Sequence, residues 1–146
     1  LNDPVEYHFV SAVSGCAFKL FWCLTWCPSN NSMGIIGGEH IRRTFWALGY
    51  EHEFIGKDED DPRASEDAFR RKIVDSVNRG QPVIAGGIVG PPDPGVVAGY
   101  DRKGNVLLGR SYFHDGSKGY FQKSDWYKGC SAIILMGAKH QAPRRH

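Results

Sequence analysis

The chain has 146 residues, 41% of them hydrophobic and 23% charged, with a formal net charge of +2. This is globular composition, long enough for one domain with a real core and too short for two comfortable ones, which excludes a disordered chain. So small a charge gives no electrostatic case for nucleic acid or an anionic membrane, and no apolar stretch approaches the ~20 residues of a membrane span.

Between Val10 and Leu24 the apolar residues Val13, Ala17, Leu20, Phe21 and Leu24 recur at helical spacing. That predicts a first helix, with Ser11 or Ser14 as its cap. Cys27-Pro28-Ser29-Asn30-Asn31-Ser32 reads as a loop. A second helix is expected from about Gly38 to Leu48, with Ile41, Phe45 and Leu48 on one face and Gly49 as a left-handed stop. Tyr50 to Ile55 alternates as a short strand, and the acidic run from Lys57 to Arg63 reads as an exposed loop. Ser65 caps a third helix through Asn78, turning Phe69, Ile73 and Val77 inward, with Gly80 as its stop.

The pattern then changes to strands. Pro82 to Val89 is an apolar run whose Gly86-Gly87 pair suits a bulge or the close approach of another backbone. Pro91-Pro92-Asp93-Pro94 makes a stiff loop. Val96–Tyr100 and Val106–Leu108 pair as a hairpin across a turn at Arg102-Lys103-Gly104. Gly119 to Gln122 forms a short strand, Ser124 caps a helical turn through Tyr127, and Ser131 to Met136 is the last strand. Helices first and strands after define an α+β domain, N-terminal helices packed on a mostly antiparallel sheet. The division expected is one domain over 1–138 and a basic tail over 139–146. The tryptophans Trp22, Trp26, Trp46 and Trp126 read as core.

Four cysteines, Cys16, Cys23, Cys27 and Cys130, lack the spacing of a small secreted disulfide framework. Buried thiols in a reduced, cytoplasmic protein are the reading. The start at Leu1 rather than Met is read as an excised or processed domain, fused to further domains in its parent protein.

Three segments carry a family likeness. Ser14-Gly15-Cys16-Ala17-Phe18 looks like the start of a nucleophile helix. Gln81-Pro82-Val83-Ile84-Ala85 looks like the strand before a catalytic loop. The hairpin from Val96 to Phe113, with its Arg110-Ser111-Tyr112 run, looks like paired His and Asn strands. Together they resemble papain-like cysteine peptidases, in the branch of the bacteriocin-processing peptidases. The resemblance implies a papain-like fold, with Cys16 as candidate thiolate.

Cysteine hydrolysis needs a thiolate at a helix N-terminus, a histidine in hydrogen-bond reach and a third group to orient it. The family's histidine position falls near Asp93-Pro94-Gly95, which holds none. Its orienting position falls on Arg110, a cation that repels an imidazolium. Of the other histidines, His114 is best placed for the cleft. His8, His40, His52, His140 and His146 read as surface or turn residues.

The first expectation is therefore a degenerate papain-like domain that binds a small or peptide ligand in the old cleft. Ser14, Gly15, Asp93, Arg110 and Tyr112 would line it, and Arg110 favours a carboxylate or phosphate. Alternatives are a rearranged hydrolase or acyl transferase using Cys16 with His114 or His8, and a structural module. No cofactor is implied. Cys23, Cys27 and His40 lack metal-site spacing, so no metal is expected. No nucleic-acid-binding pattern is present.

Overall fold

The protein is described by a computed structural model, over residues 4–18, 38–58, 60–91 and 93–143. Helix α1 spans Tyr7–Val13, earlier and shorter than the periodicity suggests. Its N-cap is Glu6, not a serine. Ser14 instead closes the other end: its hydroxyl donates to the Ser11 carbonyl and accepts from the Cys16 N–H. Gly15 then takes φ +82°, a left-handed turn that no β-carbon-bearing residue adopts cheaply. A three-residue 3-10 turn, Cys16–Phe18, follows. The expected continuation through Leu20, Phe21 and Leu24, the loop at 27–32, and Trp22 and Trp26 lie outside the described residues.

Helix α2 covers Glu39–Leu48, with Gly49 at φ +74° as its stop. Phe45 is buried, and Ile41 and Leu48 are half-buried beside it. Glu39 accepts from both Arg42 and Arg43, and these bonds hold its carboxyl down at about 2. Strand β1, Tyr50–Gly56, starts at once. A one-residue helix-to-strand link is possible because Gly49 lacks a β-carbon, which would sit 2.6 Å from the His140 carbonyl. Trp46 is 64% exposed, contrary to the core role read from the sequence. Arg42, four residues earlier and so on the same side of the helix, is exposed too.

Helix α3, Glu66–Asn78, starts as expected at Ser65, whose hydroxyl accepts from the Ala68 N–H at 3.3 Å. Ser65→Ala should remove about 1 kcal/mol of stability. Urea unfolding checks this, and a change below the error of the midpoint would show the cap to be idle. Strands β2 (Val83–Gly86), β3 (Pro94–Asp101), β4 (Val106–Arg110) and β5 (Phe121–Lys123) follow, then the short helix α4 (Trp126–Gly129) and strand β6 (Ala132–Lys139). The approach expected at Gly86-Gly87 is made by Gly129, whose β-carbon would lie 2.4 Å from the Gly87 carbonyl oxygen. The β3–β4 turn carries positive φ at Arg102, Lys103 and Gly104, with the Asp101 carboxylate accepting from the Arg102 N–H.

The architecture is α+β, with a six-stranded sheet in the order β1-β6-β2-β3-β4-β5. The pairs β2–β6, β2–β3, β3–β4 and β4–β5 are all antiparallel. The chain divides into two compact units, Leu1–His52 with Gly137–His146, and Glu53–Met136. In the first unit the Phe45 ring stacks on His52, and the His140 N–H donates to the Gly49 carbonyl. The His140 ring is hydrogen-bonded to Glu51.

The second unit holds the main core. Phe69 and Ile73 of α3 lie in one apolar cluster with Val83, Val97, Leu107 and Ile133 from four strands, all fully buried. Each such side chain contributes about 1.5–3 kcal/mol. Alternation sets Ile84, Val96 and Leu108 on the opposite face of the sheet. Ile134, Ile84, Val96 and Arg110 are successive register partners across β6, β2, β3 and β4. Burial falls along that row, from Ile134 at 7% exposure to Val96 at 42%.

Candidate functional site

The sequence-predicted residues are divided between the two units. Ser14, Gly15 and Cys16 belong to the first, and Asp93, Arg110, Tyr112 and His114 to the second. In the first unit Cys16 opens the 3-10 turn, with its N–H held by the buried Ser14 hydroxyl. Helix α1 precedes Cys16 rather than following it, so α1 presents its C-terminal, electron-rich end on that side.

In the second unit, Arg110 ends β4 opposite Val96. Its Nε donates to the Gly119 carbonyl at 2.9 Å, which fixes the plane of the guanidinium. No carboxylate pairs with Arg110 among the described residues. Among the other described arginines, Arg42 and Arg43 share Glu39, Arg63 has Asp61, and Arg70 has Glu66 and Asp67, whereas Arg79 donates only to the neutral Gln81 side chain.

His114 faces inward on its own turn. Its Nδ1 is hydrogen-bonded to the Ser111 carbonyl. Asp115, the adjacent acid, does not orient that ring. Its carboxylate accepts from the Ser117 N–H, and this bond and the Ser117 side chain lower its pKa. Asp93 is half-buried in the β2–β3 loop, its carbonyl accepting from Gly87 N–H at 3.0 Å. Tyr112 is 93% exposed and meets the Phe113 ring edge-on. Phe113 in turn lies over Gly90, leaving no room there for a β-carbon.

Sequence reasoning did not find the hollow beside Arg110. It is a trough of about 590 Å³ lined by Val96, Ala98, Gly99, Leu108, Gly109, Arg110 and Tyr120. Among the described residues that line it, Arg110 is the single charged one. A bulge at Ala98, where the β3–β4 register shifts between Val97 and Gly99, deepens the strand twist that shapes it. Val96 and Tyr120, 42% and 44% exposed, form its walls. The sequence held no clear signal for it, because the continuous apolar run Val96-Val97-Ala98 does not say which side chains face outward.

A second hollow, of about 420 Å³, is lined by Lys57, Glu66, Asp125, Tyr127 and Lys128. Three of its charged groups are already engaged: Lys57 Nζ donates to the Tyr127 carbonyl and lies over that ring, Asp125 pairs with Lys123 and Glu66 with Arg70. Nearby, Cys130 is a buried free thiol whose pKa burial pushes up to about 11, the opposite of an activated nucleophile. Among the described residues no group of three or more His, Cys, Asp or Glu is placed to hold a metal ion. No described helix is long and apolar enough to cross a membrane.

No family model, curated protein or solved structure matches this chain.

Proposed function

We propose that the chain is a non-catalytic domain of papain-like type that binds a small or peptide ligand by an acidic group, and that the β3–β4 trough is where it binds. The observation that carries this is Arg110. A guanidinium held in plane by the Gly119 carbonyl, without a carboxylate partner among the described residues, stands at the end of an apolar trough. A planar, oriented guanidinium is suited to a carboxylate, and the apolar walls are suited to an aliphatic or aromatic body. The papain-like part of the reading rests on the order of elements and on Arg110 standing where that family has its orienting residue. An arginine there suits binding and does not suit an imidazolium relay.

Decanoate, decanol and decylamine share one chain and differ in the head group, so calorimetric titration with each separates the charge from the apolar body. Decanoate is expected to bind and decylamine not to. Arg110→Gln should weaken decanoate by roughly ten- to a hundredfold, the scale of one charge-assisted hydrogen-bonded contact. Equal affinity for the three probes, or decanoate binding unchanged in Arg110→Gln, would overturn the reading.

A further inference from the structure

We propose that the natural occupant of the trough is an amphipathic helix of a partner chain, laid on the open sheet face with an acidic residue against Arg110. This rests on the trough being a binding surface and names what binds there.

Four features select a helix. The first is width. The trough reaches from β3 across β4 to Tyr120 beside β5, two strand spacings or about 10 Å. That is the diameter of a helix and about twice the width of an extended chain. The second is openness. A small ligand in a specific site buries most of its surface, ~70–90% of it. A trough on an open sheet face leaves one side of such a ligand in water, whereas a helix brings its own polar face to cover it.

The third feature is Gly99. Its φ is not left-handed, and a β-carbon there would meet nothing nearer than Leu108 at 3.5 Å. The fold does not require glycine at this point. A glycine in mid-strand weakens the strand, and its use here is to let another backbone come close. The fourth is the layering of the second unit. Helix α3 covers the opposite face of the same strands through Phe69 and Ile73. A sheet with apolar side chains on both faces is complete when each face has a layer. The exposed aromatics Tyr112 and Phe113 follow Arg110 closely in the chain, and aromatics with arginine are the composition of interface centres.

The partner helix is thus expected to carry apolar residues at i, i+3 or i+4, and i+7, with Asp or Glu at the border of that stripe. The test is selection of a phage-displayed library of random 16-residue peptides on the intact chain. Enriched peptides are then synthesised and measured by fluorescence anisotropy on wild type, Gly99→Leu and Arg110→Gln. Gly99→Leu fills the trough floor from a position with room for its β-carbon, and circular dichroism confirms that it is folded. The proposal predicts enriched peptides with the helical apolar spacing and an acid, weakened at least tenfold by either substitution. It is overturned by enriched peptides that lack the spacing, by peptides that bind Gly99→Leu as well as wild type, or by no enrichment. If decanoate still shows Arg110-dependent binding in that last case, the helix is refuted and the trough reading stands. Loss of both refutes both.

Discussion

Gly109→Ala is expected to destabilise the protein by about 3 kcal/mol or more, while Gly99→Ala, on the same hairpin, changes stability by less than about 1 kcal/mol. A β-carbon at Gly109 would lie 2.1 Å from the Val96 carbonyl oxygen and 2.9 Å from the Phe121 ring. The first atom is backbone and belongs to the β3–β4 ladder, so relief demands that two paired strands move apart. The second belongs to a buried ring of the core cluster, so the methyl also overpacks the interior. At Gly99 the nearest atoms belong to the Leu108 side chain at 3.5 Å, ordinary contact distance. There the loss of unfolded-state freedom favours alanine by about 0.4–1 kcal/mol. Urea denaturation of both variants decides it. Equal midpoints would mean that Gly109 is not the tight point of the hairpin.

Trp126→Ala should produce a loss of about 3–5 kcal/mol, the range for deleting a buried aromatic. Trp126 is 1% exposed, and its indole N–H donates to the Gly104 carbonyl at 3.1 Å. Gly104 is itself buried beneath Arg70 and Val74 of α3. The indole therefore ties α4 to the β3–β4 turn and, through that turn, to α3. Trp126→Phe separates the two contributions. It keeps most of the buried ring and leaves the Gly104 carbonyl without its donor, with an expected loss of about 1–3 kcal/mol. Thermal unfolding followed by circular dichroism orders the three proteins as wild type, Phe, Ala. If Phe and Ala fell together, the hydrogen bond and not the packing would dominate.

Much of the fold was legible where the decisive chemistry is local. Gly49 and Ser65 fix the end of α2 and the start of α3 through their own backbone geometry and a hydroxyl, whatever surrounds them. The hairpin was legible for the same reason, its turn lying between two apolar runs. The end of α1 was not, because periodicity through Val13 and Ala17 hides the break that Ser14 and Gly15 impose. Trp46 misled for a related reason: an aromatic on an amphipathic helix reads as core, and only packing shows that the face carrying Phe45 is the covered one.

The candidate site was legible by residue and not by surface. Arg110 was singled out because the orienting position of the family it resembles falls there, but its lack of an acidic partner among the described residues is a fact of three dimensions. The run Val96-Val97-Ala98 is continuously apolar, and a bulge at Ala98 breaks the simple alternation. Sequence could not say which of these side chains enters the core and which walls the trough. His114 and Asp115, adjacent in sequence, direct their polar atoms to Ser111 and Ser117 instead of each other.

Backbone amide shift mapping during a decanoate titration tests the central claim most directly, since it reports where an acid with an apolar tail settles. The account predicts saturable shifts concentrated at Val96–Gly99, Leu108–Arg110 and Tyr120, and their disappearance in Arg110→Gln. Saturable shifts centred elsewhere, or the same shifts persisting without the guanidinium, would contradict it.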